Sequence, residues 1–135
     1  MVSMTWKEPT AQLPLVLVVE DDESLLSGIM DILSMDGFCR VVGARHGQEA
    51  IELLSQEIPA VIISDIIMPF MDGFELLTLI RSSPELGHIP FFILSAVNRE
   101  NDIHTGMALG ADGYIIKPFK PQGLIDQVSE ALSNS

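Results

Sequence analysis

Three β-branched residues, Val61-Ile62-Ile63, lead through Ser64 to an acid at Asp65, and Met68-Pro69 then breaks the run. Nothing polar alternates inside it, so it fits a strand buried on both faces, as in a parallel sheet covered by helices on each side. Proline has no N–H to give a ladder, so the strand has ended by residue 69. Asp65 therefore falls at the carboxyl edge of a central strand, where open α/β sheets hold their ligands. A carboxylate there is held rigidly and open from above, as a nucleophile or a metal ligand must be. Taken alone, the same residue also reads as a strand-end aspartate capping the next turn.

The rhythm of that stretch repeats along the chain. Leu15-Val16-Leu17-Val18-Val19 is a second buried run, ending in Glu20-Asp21-Asp22-Glu23. Four adjacent like charges repel one another unless something compensates them. Asp22 has a cheap account as N-cap of the next helix, with Glu23 in its first turn, whereas Glu20 and Asp21 have none. Leu25, Leu26, Ile29, Ile32 and Leu33 then follow helical spacing up to Asp36-Gly37, where glycine serves as C-cap. Arg40 to Ala44 is a short strand nearer the sheet edge. His46-Gly47 turns into a helix over Gln48 to Gln56, and Pro59 ends that unit. After Asp72-Gly73 a helix carries Phe74, Leu76, Leu77 and Ile80 and stops near Ser82-Ser83-Pro84.

Phe91 to Leu94 is a fourth buried run, with Ser95-Ala96 at its carboxyl end. A more polar helix from Asn98 to Leu109 contains Gly106, with Gly110 as its C-cap. Asp112 to Ile116 is the fifth strand, finished by Lys117-Pro118. The last helix starts near Pro121, a favoured first-turn residue, and ends just short of Ser135. Met1 to Gln12 is polar without periodicity, a flexible lead-in, so the domain is expected over 13–134.

Five β-α units in unbroken rhythm predict one doubly wound α/β domain with right-handed crossovers, a flavodoxin-like (βα)5 fold. The common strand order for such a five-stranded parallel sheet is 2-1-3-4-5, with strands 1 and 3 adjacent at the switch point. That order brings Glu20 and Asp21 beside Asp65, and sets Ser95 and Lys117 on the same rim. The 135 residues suffice for one core but not two. Seven Lys and Arg against nineteen Asp and Glu give −12, a surface that repels phosphate backbones and argues against direct nucleic-acid binding. No apolar run is long enough to span a bilayer, and the start lacks the apolar core of a secretory signal. Cys39 is the sole cysteine, which excludes an internal disulfide and suits the cytoplasm.

Carboxylates converging on one rim need a cation, and a set of only two or three oxygen ligands suits Mg²⁺. Lys117 adds an ammonium and Ser95 a hydroxyl donor. Together they suit a phosphoryl group on Asp65, with Asp65 as the nucleophile forming an acyl phosphate.

Here the chain resembles, along nearly its whole length, the receiver domains of two-component response regulators. The marks are LVLVVEDDE, SDIIMPFMDG, ILSA and GYIIKPF, each weak alone and specific together in this order. The resemblance implies that Asp65 is the phosphoacceptor, served by a sensor histidine kinase or a histidine phosphotransfer protein. It implies that Glu20 and Asp21 are the acidic pair for Mg²⁺, with Glu20 acting through a metal-bound water and the Ile67 backbone carbonyl as a further ligand. Ser95 resembles the switch hydroxyl, Lys117 the phosphate-contacting lysine, and Tyr114 the aromatic that swings inward when Ser95 engages the phosphate. The Lys117-Pro118 bond resembles the family's cis peptide.

In that reading the chain is not an enzyme beyond its own phosphorylation and dephosphorylation. It acts through the face of the fourth helix, fifth strand and fifth helix on a downstream protein or a fused output domain outside this chain. Phosphorylation-dependent dimerisation through that face stays open. The first helix, around Leu25, Leu26 and Ile29, resembles the kinase-docking face. Ile67 and Val97, both apolar, would shield the acyl phosphate and slow its hydrolysis.

Blander accounts exist for single residues: Lys117 as a solvated strand-end lysine, Tyr114 as a core-edge residue, Ser95 as a helix cap. His46, His88 and His104 lack metal-site spacing and read as surface residues, and the methionines as packing, with Met68 and Met71 flanking the site. An aspartyl phosphatase of D-x-D-x-T pattern needs a second acid where Ile67 stands. A pseudo-receiver, docking without phosphorylation, is the remaining alternative.

Overall fold

Alternate residues of a β-strand point to opposite faces of its sheet, so a strand that is apolar throughout needs cover on both sides. The computed structural model describes residues 13–96 and 99–134, and provides that cover. The elements run β1 (Leu15–Val19), α1 (Glu23–Ser34), β2 (Arg40–Ala44), α2 (Gly47–Leu54) and β3 (Val61–Asp65). They continue as α3 (Gly73–Ser82), β4 (Phe91–Ala96), α4 (Glu100–Ala108), β5 (Gly113–Lys117) and α5 (Pro121–Ser133). All strand pairs are parallel, in the order β2-β1-β3-β4-β5 expected from the sequence.

Two cores sandwich the sheet. Leu17, Val19, Ile62 and Ile93 face α2 and α3, meeting Ala50, Leu76, Leu77 and Ile80. Val16, Val18, Ile63, Leu94 and Ile115 face the other way, against Leu26, Ile29 and Leu33 of α1 and Leu124 and Val128 of α5. The α4 helix joins the first face through its one buried residue, Gly106: a Cβ there would stand 2.0 Å from the Ile93 Cδ1.

The helix starts follow capping chemistry. Asp22 accepts from the Leu25 N–H at 3.1 Å, as expected. Asp72 and Glu75 form a reciprocal capping box, each side chain accepting from the other's backbone N–H. His46, read as a plain surface residue, is instead the N-cap of α2, its Nδ1 accepting from the Glu49 N–H at 3.2 Å.

The helix ends differ from expectation by a few residues. The α1 helix stops at Ser34, and Gly37 lies beyond its Met35 cap with φ +66°, donating back to the Ser34 carbonyl. The α2 helix ends at Leu54 rather than Gln56, because the Gln56 N–H turns back to the Leu53 carbonyl and tightens the last turn. The β5 strand begins at Gly113 and includes Lys117. The lead-in before residue 13, the Val97 position and the Asn98 start of the fourth helix lie outside the described residues.

At the end of the sheet opposite the carboxyl edges, Arg81 ties the α3–β4 and α4–β5 connections together. Its guanidinium donates to the carbonyls of Gly87, Ile89 and Gly110 and to Asp112 Oδ2, which also accepts from the Phe91 N–H. Among the described residues, no helix is long and apolar enough to cross a membrane.

Candidate functional site

The β1 and β3 strands are neighbours, yet α1 packs on one face of the sheet and α3 on the other. Diverging connections open a crevice beyond the carboxyl ends of those strands. Glu20 follows β1 there and is 1% exposed. Its backbone N–H donates to the Ala44 carbonyl at 2.9 Å, which extends the β1–β2 ladder and carries the side chain inside. Oε2 accepts from the Asp22 N–H at 3.0 Å. Oε1 has no hydrogen-bond partner, alone among buried side-chain polar atoms of the described residues. Lys117 Nζ stands 3.5 Å from it, an ion-pair neighbour without hydrogen-bond geometry.

Asp65 ends β3. Its Oδ1 accepts from the Ile66 N–H at 2.7 Å and the Ile67 N–H at 3.3 Å, while Oδ2 lies 3.4 Å from Lys117 Nζ. The residue is 9% exposed, so the carboxylate is more enclosed than the open position expected from its place at the strand end. Asp21 is exposed beside it, and carboxylate oxygens of Glu20, Asp21 and Asp65 lie within 4.8 Å of one another. Burial is the main reason the Glu20 carboxyl is pushed up to about 7, with the Asp65 charge adding to it. The Asp22 N–H and the Lys117 ammonium pull the other way.

Of the remaining predicted residues, Ser95, Lys117 and Ile67 reach the same rim, whereas Tyr114 lies near the start of β5, in register with Ile93. Ser95 is buried one residue past Leu94, the register partner of Asp65, and its Oγ makes only a long 3.5 Å bond to the Ala96 carbonyl. Lys117 is paired with Ala96 at the end of β5 and follows into a cis bond with Pro118. Tyr114 is 45% exposed, its ring outside the core and its carbonyl accepting from Gln127 Nε2. Ile67 delivers its N–H to Asp65 and turns its side chain outward.

Two features went unread in the sequence. Ser64 Oγ donates to the Asp65 carbonyl at 2.8 Å, fixing the strand end from its other side. The loop from 66 to 72 is pinched shut where the Gly73 N–H donates to the Ile66 carbonyl at 2.8 Å. At its tip Phe70 has φ +72° and is 91% exposed, its ring edge-on to His46 with centroids 6.1 Å apart. No residue-type signal marks a phenylalanine for the left-handed region, so this was not legible.

One surface reading needs correcting. Leu26 and Ile29 do not form an outer face of α1; both are buried against the sheet, because the helical stripe they belong to is the core stripe. The outward side is Ser24, Ser27 and Asp31, while half-buried Leu25, Gly28 and Ile32, with Ile29 at the base, line a shallow apolar groove against Pro118 and Phe119.

A doubly wound sheet whose switch point holds two acids, an aspartate and a lysine defines a class. The response regulator receiver domain matches residues 16–129, and the chain belongs to that family. It is 39% identical over 117 residues to the probable transcriptional regulator ycf27 of Guillardia theta, covering 87% of this chain and 44% of that protein. It is 36% identical over 115 residues to an uncharacterized 14.6 kDa protein of Leptolyngbya boryana, covering 85% and 87%. The receiver domain of a signal transduction histidine kinase from Syntrophus aciditrophicus superposes with a TM-score of 0.82 at 34% identity, covering 90% of this chain and 91% of that one. The chemotaxis response regulator CheY4 of Vibrio cholerae gives 0.81 at 30%, covering 89% and 99%. The chain spans about half the length of the transcriptional regulators it matches, 44% and 49% for two of them.

Proposed function

We propose that this receiver accepts a phosphoryl group on Asp65 from the phosphohistidine of a sensor histidine kinase or a histidine phosphotransfer protein. The observation that carries the reading is the approach of Lys117 Nζ to both Asp65 Oδ2 and Glu20 Oε1. An ammonium flanked by two carboxylates is positioned to follow charge onto a phosphoryl group built on one of them. An oxygen of Asp65 attacks phosphorus as the N–P bond of the donor breaks, and the bonding pair returns to the imidazole nitrogen. Two backbone N–H groups hold Oδ1, which orients the carboxylate before the donor arrives. Lys117 and the loosely committed Ser95 hydroxyl are the donors for the new phosphoryl oxygens.

The residues also fit a divalent cation. Glu20 Oε1 is buried without a hydrogen bond, and three carboxylates share one small volume. Glu20, Asp21, Asp65 and the Ile67 carbonyl would hold Mg²⁺, which when bound supplies positive charge against the transferring oxygens. An apolar side chain at Ile67, exposed beside Asp65, favours slow hydrolysis of the acyl phosphate.

Output follows from Ser95 and Tyr114. With Ser95 drawn to the phosphoryl group, space opens near the β4 end and the exposed Tyr114 ring moves inward, which reshapes the α4-β5-α5 face. That face serves a downstream protein or an output domain outside this chain, in the cytoplasm, and the chain acts on no substrate but its own phosphoryl group.

Intact-mass spectrometry tests the proposal. Wild type and Asp65→Asn are incubated with phosphoramidate, with Mg²⁺ or with a chelator. A phosphate-sized gain in wild type with Mg²⁺ alone supports it; a gain in Asp65→Asn, or none in any arm, overturns it.

A further inference from the structure

Phe70 is held in a backbone conformation that disfavours it and buries almost none of its side chain in return. At φ +72° a bulky residue is strained where glycine would not be. With 91% of its surface exposed, the ring recovers little by packing, and among the described residues its one aromatic neighbour is His46, with the two rings T-shaped. Folding alone gives no reason for phenylalanine here. Strain kept without a folding return points to a contact made outside the chain.

We propose that Phe70 is the apolar anchor on which a phosphohistidine-bearing protein seats when it delivers its phosphoryl group; this rests on the reading of Asp65 as phosphoacceptor. The loop is pinched at Ile66 and Gly73, so its tip is fixed relative to Asp65 rather than free to fold away. Asp65 is nearly enclosed, and the loop that follows it carries this tip, so a donor histidine approaching the carboxylate comes down beside the loop. Exposed Ile67 and Pro69 on the same loop widen the apolar patch, while Asp21, Asp22 and Glu23 form an exposed acidic border. The fitting partner therefore carries an apolar hollow beside its histidine and basic side chains beyond it.

The test compares wild type, Phe70→Gly and Phe70→Leu with two donors. One is phosphoramidate, too small to touch the loop tip. The other is a panel of purified histidine-kinase cores, autophosphorylated with ATP, from which the fastest donor to wild type is taken. The expected result is equal labelling of all three by phosphoramidate and transfer from the kinase to Phe70→Gly slowed by about ten-fold or more. The loss should appear in the concentration dependence rather than in the rate at saturation, with Phe70→Leu recovering most of it. The melting temperature of Phe70→Gly should equal or exceed that of wild type. Equal kinase transfer to wild type and Phe70→Gly overturns the inference. So does a wild type labelled by phosphoramidate but by no kinase, or a variant altered only in self-association. Failure of phosphoramidate with every form overturns the underlying reading of Asp65 instead.

Discussion

Lys117 Nζ lies 3.4 Å from Asp65 Oδ2, so the last residue of β5 reaches across β4 to the last residue of β3. The same ammonium stands 3.5 Å from Glu20, making it, among the described residues, the one positive charge between two enclosed carboxylates. Its removal leaves those carboxylates to repel each other in a setting of low polarity.

Lys117→Met should therefore lower the stability of the metal-free protein at neutral pH by about 2 kcal/mol. Urea denaturation checks this. Adding Mg²⁺ should restore more stability to Lys117→Met than to wild type, since the cation then supplies the missing charge.

Glu20 gives stability an unusual pH slope. Its folded pKa, about 7, lies above the ordinary carboxyl value, so the folded state binds a proton that the unfolded state has released. The contribution is complete below the unfolded value and is lost as pH rises through the folded one. Without metal, the melting temperature should fall between about pH 5 and pH 8, and Glu20→Gln should flatten that slope. Calorimetry in the presence of chelator is the check.

Gly73 is required by close approach. A Cβ at this position would stand 2.3 Å from the Asp65 carbonyl oxygen and 2.8 Å from the Ile66 Cα. Both are backbone atoms with no rotamer to retreat into. Gly73→Ala should cost about 2–3 kcal/mol in chemical denaturation, with the loop over Asp65 displaced.

The arrangement of strands and acids was legible because each strand is a continuous apolar run with its chemistry placed just after it. Val61 to Asp65 shows both parts in five residues. Glu20 was legible as an acid at the rim but not as a buried one, because a block of four acids reads as solvated and only the ladder bond to Ala44 carries the first of them inside. The α1 stripe was visible in Leu26 and Ile29, yet spacing alone does not say whether a stripe faces the sheet or a partner. Phe70 and Arg81 left no signal, since one depends on a backbone angle and the other on carbonyls that every sequence possesses.

Arg81 offers a separate stability test far from the site. Its donors satisfy three backbone carbonyls and Asp112 at once, a geometry that depends on the planar guanidinium. Arg81→Lys keeps the charge and loses the fork, and should cost about 2 kcal/mol in denaturant. Phosphorylation by phosphoramidate should be unaffected below the melting transition.

On the proposed function the phosphoryl group resides on the Asp65 carboxylate. Borohydride reduces an acyl phosphate of aspartate to homoserine, so peptide mapping after treatment with phosphoramidate, Mg²⁺ and then borohydride locates the bond directly. Homoserine at position 65, and at no other acid, is the predicted result. Homoserine at Glu20's neighbour Asp21, or an unreduced peptide from protein that has gained phosphate mass, would contradict it.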